Sequence, residues 1–377
     1  MMLNTGLTGA ILAVYGKELG ATGVGLGLVV ASYWATRVLM EVPSGIFASR
    51  YGYFRLMILG LTLSTLGAFL SGATSDLIIL TLARAVTGFG APLFYAVSTT
   101  LIIDLFNTEQ RGRAMGLFQG IEFLGSILGT ALSGHIVTLL GFSSTFLLTG
   151  AVTAAATLLM AVAPRPKLQT SPGDTGPALF TVSAFKQVLR SGNVLIVSSA
   201  ILGQAVMHSG ILYTVFPLYA REKIGLNLQD IGLLMGLAST GSTLSMLIVG
   251  YISDRIGRKP VLFTGLAATG ALVLLLSIPT SIAPLGALLF ALGFSAGAIW
   301  IVLPVLVAEG LPLSSRGPAI GVYRTCMDLG SVFGPVLLSA LQDRAGYIIC
   351  FQLSAALVLA NLIPASKAKE ATTKSTQ

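Results

Sequence analysis

"VLFTGLAATGALVLLLSIPTSIAPLGALLFALGFSAGAIWIVLPVLVA" fills Val261–Ala308 without one Asp, Glu, Lys or Arg. A helix of about 20 apolar residues crosses a bilayer core of about 30 Å, so this run is long enough for two crossings. "FLLTGAVTAAATLLMAVA" (Phe146–Ala163) is a third charge-free run elsewhere in the chain. Short segments of alternating polarity, which a membrane β-barrel requires, are absent. The fold class is therefore an all-α polytopic membrane protein. The composition agrees: of 377 residues, 54% are hydrophobic and only 10% charged, against about a quarter charged in soluble domains. Mean hydropathy is +0.87.

Working outward, the ~20-residue criterion gives twelve spans, at roughly 1–16, 22–48, 56–75, 77–104, 113–139, 144–163, 192–220, 229–252, 260–279, 283–309, 317–341 and 346–364. Placing the N-terminus inside puts fifteen cations in loops on that side: Arg50, Arg55, Arg111, Arg113, Arg165, Lys167, Lys186, Arg190, Arg255, Arg258, Lys259, Arg316, Lys367, Lys369 and Lys374. Lys17, Arg221, Lys223 and Arg344 are left for the other side. Cytoplasmic loops carry the excess of Lys and Arg, so both termini are expected in the cytoplasm. The net charge of +8 then reflects loops facing anionic lipid and not a nucleic-acid footprint. Cys326 and Cys350 both lie in apolar segments, which makes neither a disulfide framework nor a metal site. The N-terminus runs straight into apolar sequence without a basic region, unlike a cleavable signal peptide.

Pro164–Gly192 is the longest polar stretch, and its Pro, Gly, Ser and Thr mark a linker. Its second half, Ala178–Arg190, reads as a short amphipathic helix at the interface. The expected organisation is a six-helix half at 1–163, a cytoplasmic linker at 164–191, a second six-helix half at 192–364 and a cytoplasmic tail at 365–377. Sliding the chain on itself by 205 residues supports the division. Gly45, Arg50 and Gly52 fall on Gly250, Arg255 and Gly257; "RGRAMG" (Arg111–Gly116) falls on "RGPAIG" (Arg316–Gly321); "LGSILG" (Leu124–Gly129) falls on "LGSVFG" (Leu329–Gly334). A duplicated parallel unit is the arrangement of a secondary transporter with its site between two pseudo-symmetric bundles. Under this offset the first helix is short relative to the seventh. A truncated start and a genuinely short helix both account for that.

Immediately before the opening run stands "GYISDRIGRKP" (Gly250–Pro260), with a faded copy, "GIFASRYGYFR", at Gly45–Arg55. With the duplication, this stretch resembles the major facilitator superfamily signature G-x-x-x-D-R-x-G-R-R/K, carried by Gly250, Asp254, Arg255, Gly257, Arg258 and Lys259. The resemblance covers essentially the whole chain. It implies a cytoplasmic latch in which Asp254 meets the fifth helix near Arg111–Ala114, and Arg258 pairs with Glu309, when the cytoplasmic side is closed. Positive-inside topology alone also accounts for the basic residues, but not for Asp254. In the first copy, Arg50 and Arg55 serve topology and are candidates to meet Asp104.

"LARAVTGFGAP" (Leu82–Pro92) resembles the superfamily's helix-four motif through Arg84, Gly88 and Gly90. Gly116, Gly125 and Gly129 match part of the helix-five motif of antiporter-type members, but Thr130 stands where that motif has proline. Gly330 and Gly334 repeat the pattern in helix eleven. All these glycines also suit plain helix packing.

Six charges remain inside the spans: Arg37, Glu41, Arg84, Glu122, Arg324 and Asp328. Ionisable residues at membrane depth are functional candidates by default. Arg37 with Glu41, and Arg324 with Asp328, have i,i+4 spacing and can simply neutralise each other. Glu122 has no partner within its helix and is the first candidate to carry a proton, followed by Asp328 and then His208; a lone histidine is also often structural. Tyr33, Trp34, Tyr95, Phe118, Tyr213, Trp300 and Tyr323 are candidate cavity aromatics, though such residues also pack or meet lipid.

These features imply a monomeric transporter in a bacterial or archaeal cell membrane. Its partners are a small-molecule substrate, protons and the lipid bilayer, with no nucleic acid, cofactor or metal. No G-x-x-x-x-G-K-[ST] loop for ATP is present, and the chain is not read as an enzyme. The expected activity is proton-coupled efflux of an amphipathic compound. Proton symport of an organic anion or metabolite, and a non-transporting membrane sensor or partner subunit, are the alternatives.

Overall fold

The computed structural model describes residues 1–106, 108–163, 188, 190–279, 281–308, 311 and 313–368. Glu309, most of the linker with its expected amphipathic helix, and the end of the tail lie outside the described residues. Among the described residues twelve helices follow one another: α1 (Met2–Glu18), α2 (Gly23–Tyr51), α3 (Tyr53–Ala73), α4 (Leu77–Leu105), α5 (108–140), α6 (142–162), α7 (Gly192–Ile224), α8 (Leu228–Ile256), α9 (Arg258–Leu275), α10 (Ile282–Ala308), α11 (Leu313–Ala345) and α12 (Tyr347–Ser366). Among the described residues, nine helical runs are long and apolar enough to cross a membrane, and one of them, Arg113–Val162, contains both α5 and α6. α1 has 17 residues, near the lower limit for a crossing.

The expected loops between α2 and α3, and between α8 and α9, are each a single glycine. Gly52 (φ +85°) and Gly257 (φ +96°) turn the chain where a side chain would be strained. The signature residues are therefore not on a loop: Asp254 and Arg255 end α8, while Arg258 and Lys259 begin α9. Among the described residues six of the seven left-handed glycines fall into pairs separated by the repeat offset, Gly20 with Gly225, Gly52 with Gly257, and Gly141 with Gly346; Gly23 (φ +47°) has Leu228 at that offset. The duplication visible in the sequence is thus a duplication of turn geometry.

Packing repeats in the same way. A Cβ on Gly88 of α4 would fall 2.0 Å from the Tyr33 carbonyl of α2, and one on Gly293 of α10 would fall 1.9 Å from the Ala238 carbonyl of α8. Both pairs need glycine for backbone contact. Gly90 abuts α3 through the Gly60 carbonyl, Gly129 abuts α1 through Leu3, and Gly330 and Gly334 abut α7 through Leu202 and Val206. Gly125 makes a looser contact, 3.3 Å from the Leu3 nitrogen.

The two sets of six helices meet along α2–α11 and α5–α8. The face with the Gly52 and Gly257 turns is here called the basic face. At the opposite face the contacts are tight: a Cβ on Gly134 would lie 1.8 Å from the Leu228 carbonyl, and one on Gly27 would lie 2.5 Å from Val336 Cα. Lys17 of α1 also reaches Glu222 of α7 at 3.9 Å there. Toward the basic face, Gly116 and Gly120 of α5 have nothing within 4 Å of a built Cβ. The bundles are in backbone contact at one face, while toward the other these two α5 glycines border open space.

Candidate functional site

A cavity of about 300 Å3 lies between the two bundles, with residues of α1, α2, α4, α5, α7, α8, α10 and α11 on its wall. Its size is at the lower end of small-molecule sites, about 300–1,000 Å3. Of the aromatics proposed from sequence, Tyr33, Trp34, Tyr95, Tyr213 and Trp300 line it. Phe118 and Tyr323 do not. Tyr323 is 5% exposed and packed into the hydrophobic core, while Phe118 stands more than a turn beyond Phe123, the nearest α5 residue on the wall.

His208 lines the cavity and sits edge-on to two rings, Tyr213 at 5.1 Å and Trp300 at 5.7 Å between centroids. It lies in a stretch of α7, Val206–Val215, wound as a π-helix. Thr214 Oγ1 donates to the Ser209 carbonyl five residues back, following the wider winding. π-Turns inside helices concentrate at functional sites. Pro217, just beyond, has no N–H to offer the preceding turn.

Arg84 is 4% exposed and reaches the cavity from α4. Its Nη1 donates to Thr8 Oγ1 of α1 at 3.4 Å, and its guanidinium lies 5.4 Å from the Tyr33 ring centroid. Its Nε is buried without a hydrogen-bond partner, and no carboxylate pairs with it among the described residues.

The other charges of α2 and α11 form one cluster across the two bundles. Arg37 Nε lies 3.6 Å from Glu41 Oε2 within α2 and 3.7 Å from Asp328 Oδ2 of α11. Arg324 of α11 donates to Glu41 of α2. The expected pairing of Arg324 with Asp328 within one helix is replaced by cross-helix pairing. α2 and α11 face each other, and each arginine reaches across to the other helix's acid. Two cations and two anions balance, which is how buried charge is tolerated. Neither Asp328 oxygen makes a hydrogen bond. Arg37 also lies 5.2 Å from the Trp34 ring and lines the cavity; Glu41, Arg324 and Asp328 do not. Glu122, on α5, stands outside this cluster. Its Oε1 is buried without a hydrogen-bond partner, and it is near the wall residues Phe123 and Ser126.

At the basic face Asp254 is 67% exposed and accepts a hydrogen bond from Arg258 at 2.9 Å. The expected seat on α5 is not observed: among the described residues its hydrogen bond goes to Arg258, one turn away. Arg255 stacks on and donates to Tyr251. In the faded copy Asp104 accepts from Tyr53, and Arg50 instead stacks on Tyr51. Tyr53 is the offset counterpart of Arg258, so a phenol now holds the acid that the basic residue was expected to meet.

Part of the wall went unrecognised in the sequence. Met235, Ser239, Ser242 and Met246 of α8 line the cavity, and Ser239 bonds Thr130 of α5 at 3.2 Å. Their spacing of four, three and four residues defines one helix face. That periodicity was the available signal, hidden because serines and methionines are ordinary in membrane helices.

With this geometry in hand, the comparisons with known proteins are specific. The family model described as Major Facilitator Superfamily matches residues 1–229 and, separately, 204–376. Multidrug resistance protein 2 of Bacillus subtilis (strain 168) is 24% identical over 350 residues, covering 90% of this chain and 86% of that protein. Quinolone resistance protein NorA of Staphylococcus aureus (strain MSSA476) is 24% identical over 362 residues, covering 91% and 87%. Among solved structures, a bacterial homologue of the human lysosomal transporter Spinster, inward-facing and occupied, superposes with a TM-score of 0.79 at 14% identity, covering 98% of this chain and 94% of that one. At that identity the likeness speaks for the fold alone.

Proposed function

The chain belongs to the major facilitator superfamily, and from that premise we propose that this membrane transporter exports a small amphipathic compound in exchange for protons. The observation that carries the reading is the cavity between the bundles, whose wall includes six aromatic rings and four methionines, with two carboxylates near it, the half-buried Glu122 and the buried Asp328. An apolar wall with few polar groups suits amphipathic ligands. Carboxylates without hydrogen bonds at membrane depth are suited to take up and release protons. Names of relatives such as multidrug and quinolone resistance proteins support efflux as the direction.

In this reading the basic face is cytoplasmic, the residues 1–163 and 192–364 rock against each other, 164–191 links them and 365–377 forms a tail. The arrangement described here is then the inward-open one. Asp254, Arg258 and Glu309 act as the latch of the opposite state, in which α5 and α8 close at the cytoplasmic end. Glu122 is the primary proton carrier, with Asp328 and His208 behind it.

The test uses right-side-out vesicles. An imposed inward proton gradient should drive preloaded compound out and leave uptake unstimulated. If that gradient drives accumulation inside, the efflux assignment fails. Binding without any flux in proteoliposomes would point to a sensor instead.

A further inference from the structure

The charges on the cavity wall have one sign. Among the described residues its basic lining side chains are Arg37, Arg84 and His208, and no Asp or Glu lines it. Arg37 is already engaged by Asp328 and Glu41. Arg84 is not engaged by any described carboxylate, and its buried Nε has no partner. A buried cation left in this condition is costly in a membrane interior. An anion arriving with the substrate would supply the missing partner, and a guanidinium offers such a group a planar set of donors. Trp34, Tyr213, Trp300 and Met327 provide an apolar surround at the same cavity.

We propose that the transported compound is an amphipathic anion: an acidic headgroup paired with Arg84, beside Thr8 and Tyr33, and an apolar, preferably aromatic body held among Trp34, Tyr213 and Trp300. This deepens the reading of the cavity as a substrate site and rests on it. It also separates this chain from carriers of lipophilic cations, because a cation entering here would face two arginines and no acid on the wall.

The chain's two tryptophans both line the cavity, so binding can be read by quenching their fluorescence in purified full-length protein in nanodiscs. Three probes share one body: phenylbutanoate, phenylbutanamide and phenylbutylammonium. A hydrogen bond to a charged group is worth about 1.5–3 kcal/mol, so phenylbutanoate should bind about tenfold or more tighter than the amide, with the ammonium compound weakest. Arg84→Gln should erase the preference for the acid over the amide, and Arg84→Lys should keep part of it. If Arg84→Gln does not fold, the ranking of the three probes on the unaltered protein still decides. Equal affinities, a preference for the ammonium compound, or no binding of any probe overturns the proposal. A cation preference together with proton-driven efflux would sink only the headgroup assignment and leave the transport reading standing.

Discussion

Arg37 of α2 lies 3.7 Å from Asp328 of α11, and this contact joins the first six helices to the last six. Asp328 has a side chain only 1% exposed, so the pair is shielded from water on the acid's side. One helix pair thus carries a charged clasp between bundles that must move against each other. Its members are shared: Glu41 meets both Arg37 and Arg324. Disturbing one member therefore disturbs all four.

The clasp is testable by charge exchange. Glu41→Arg alone places three cations around Asp328, and Arg324→Glu alone places three anions around Arg37. Each should lower thermal stability and transport. The double variant restores the balance and should recover most of both. A coupling of about 1 kcal/mol is expected, at the low end for buried pairs, because Arg324 is 43% exposed. Additive losses in the double variant would show that the two residues do not act as a pair.

The two carboxylates beside the cavity should behave differently. Glu122 makes no ion pair among the described residues, so Glu122→Gln removes a titratable group at little structural cost. It should abolish proton-driven exchange while leaving substrate binding and melting temperature near those of the unaltered protein. Asp328→Asn leaves the Arg37 cation short of one partner in a buried site. It should cost stability on the order of 3 kcal/mol, as expected when half of a buried pair is removed. Flux and stability measured on the same preparations separate the two. Proton coupling that survives Glu122→Gln removes Glu122 from the mechanism.

The closed face rests on backbone contact at Gly134. A Cβ there would fall 1.8 Å from the Leu228 carbonyl, so Gly134→Ala must push α8 away from α5. Overpacking of this kind costs about 1–3 kcal/mol, charged to the arrangement closed at that face. Gly120→Ala is the control, since nothing lies within 4 Å of that position; it should be neutral or slightly stabilising through helix propensity. Melting curves that rank the two variants the other way would mean that the α5–α8 contact is not what closes this face.

Much of this was legible in the sequence, and the reason is periodicity. Charge-free runs fix the spans, and the 205-residue offset fixes the pairing of Gly52 with Gly257 and of Gly88 with Gly293. What escaped was set by which helices face each other. The i,i+4 spacing of Arg324 and Asp328 suggested a pair within α11, but α2 presents Glu41 to Arg324 and Arg37 to Asp328. The π-wound stretch around His208 carries no composition signal, and Tyr323 shows that an aromatic at the right depth can face the core.

In this structure Asp254 bonds only a neighbour one helical turn away, Arg258, at an exposed end. Exposed i,i+4 pairs are worth about 0.3–0.5 kcal/mol, so Asp254→Asn should barely alter stability. Under the proposed latch its effect should be on the balance of states, since that proposal has Asp254 reach α5 only in the opposite arrangement. With Cys326→Ser and Cys350→Ser removing the native thiols, a reporter at Gly120→Cys lies on α5 beside open space. Asp254→Asn should speed its labelling from the basic face. An unchanged labelling rate would exclude Asp254 from the latch.

Exchange of an anion for a proton has an electrical signature. One negative charge leaves and one positive charge enters, so both movements run down a potential negative at the cytoplasmic side. Each elementary charge is worth about 2.3 kcal/mol per 100 mV. Two charges therefore supply about 4.6 kcal/mol, or on the order of a thousandfold gradient of phenylbutanoate. In proteoliposomes loaded with phenylbutanoate, a potassium–valinomycin potential negative on the basic-face side should accelerate export with no pH difference present. Phenylbutanamide, if carried, should respond to the proton's charge alone and show the weaker dependence. Export of the acid indifferent to the imposed potential would mean that charge is balanced within the cycle, and one-for-one exchange of an anion with a proton would be wrong.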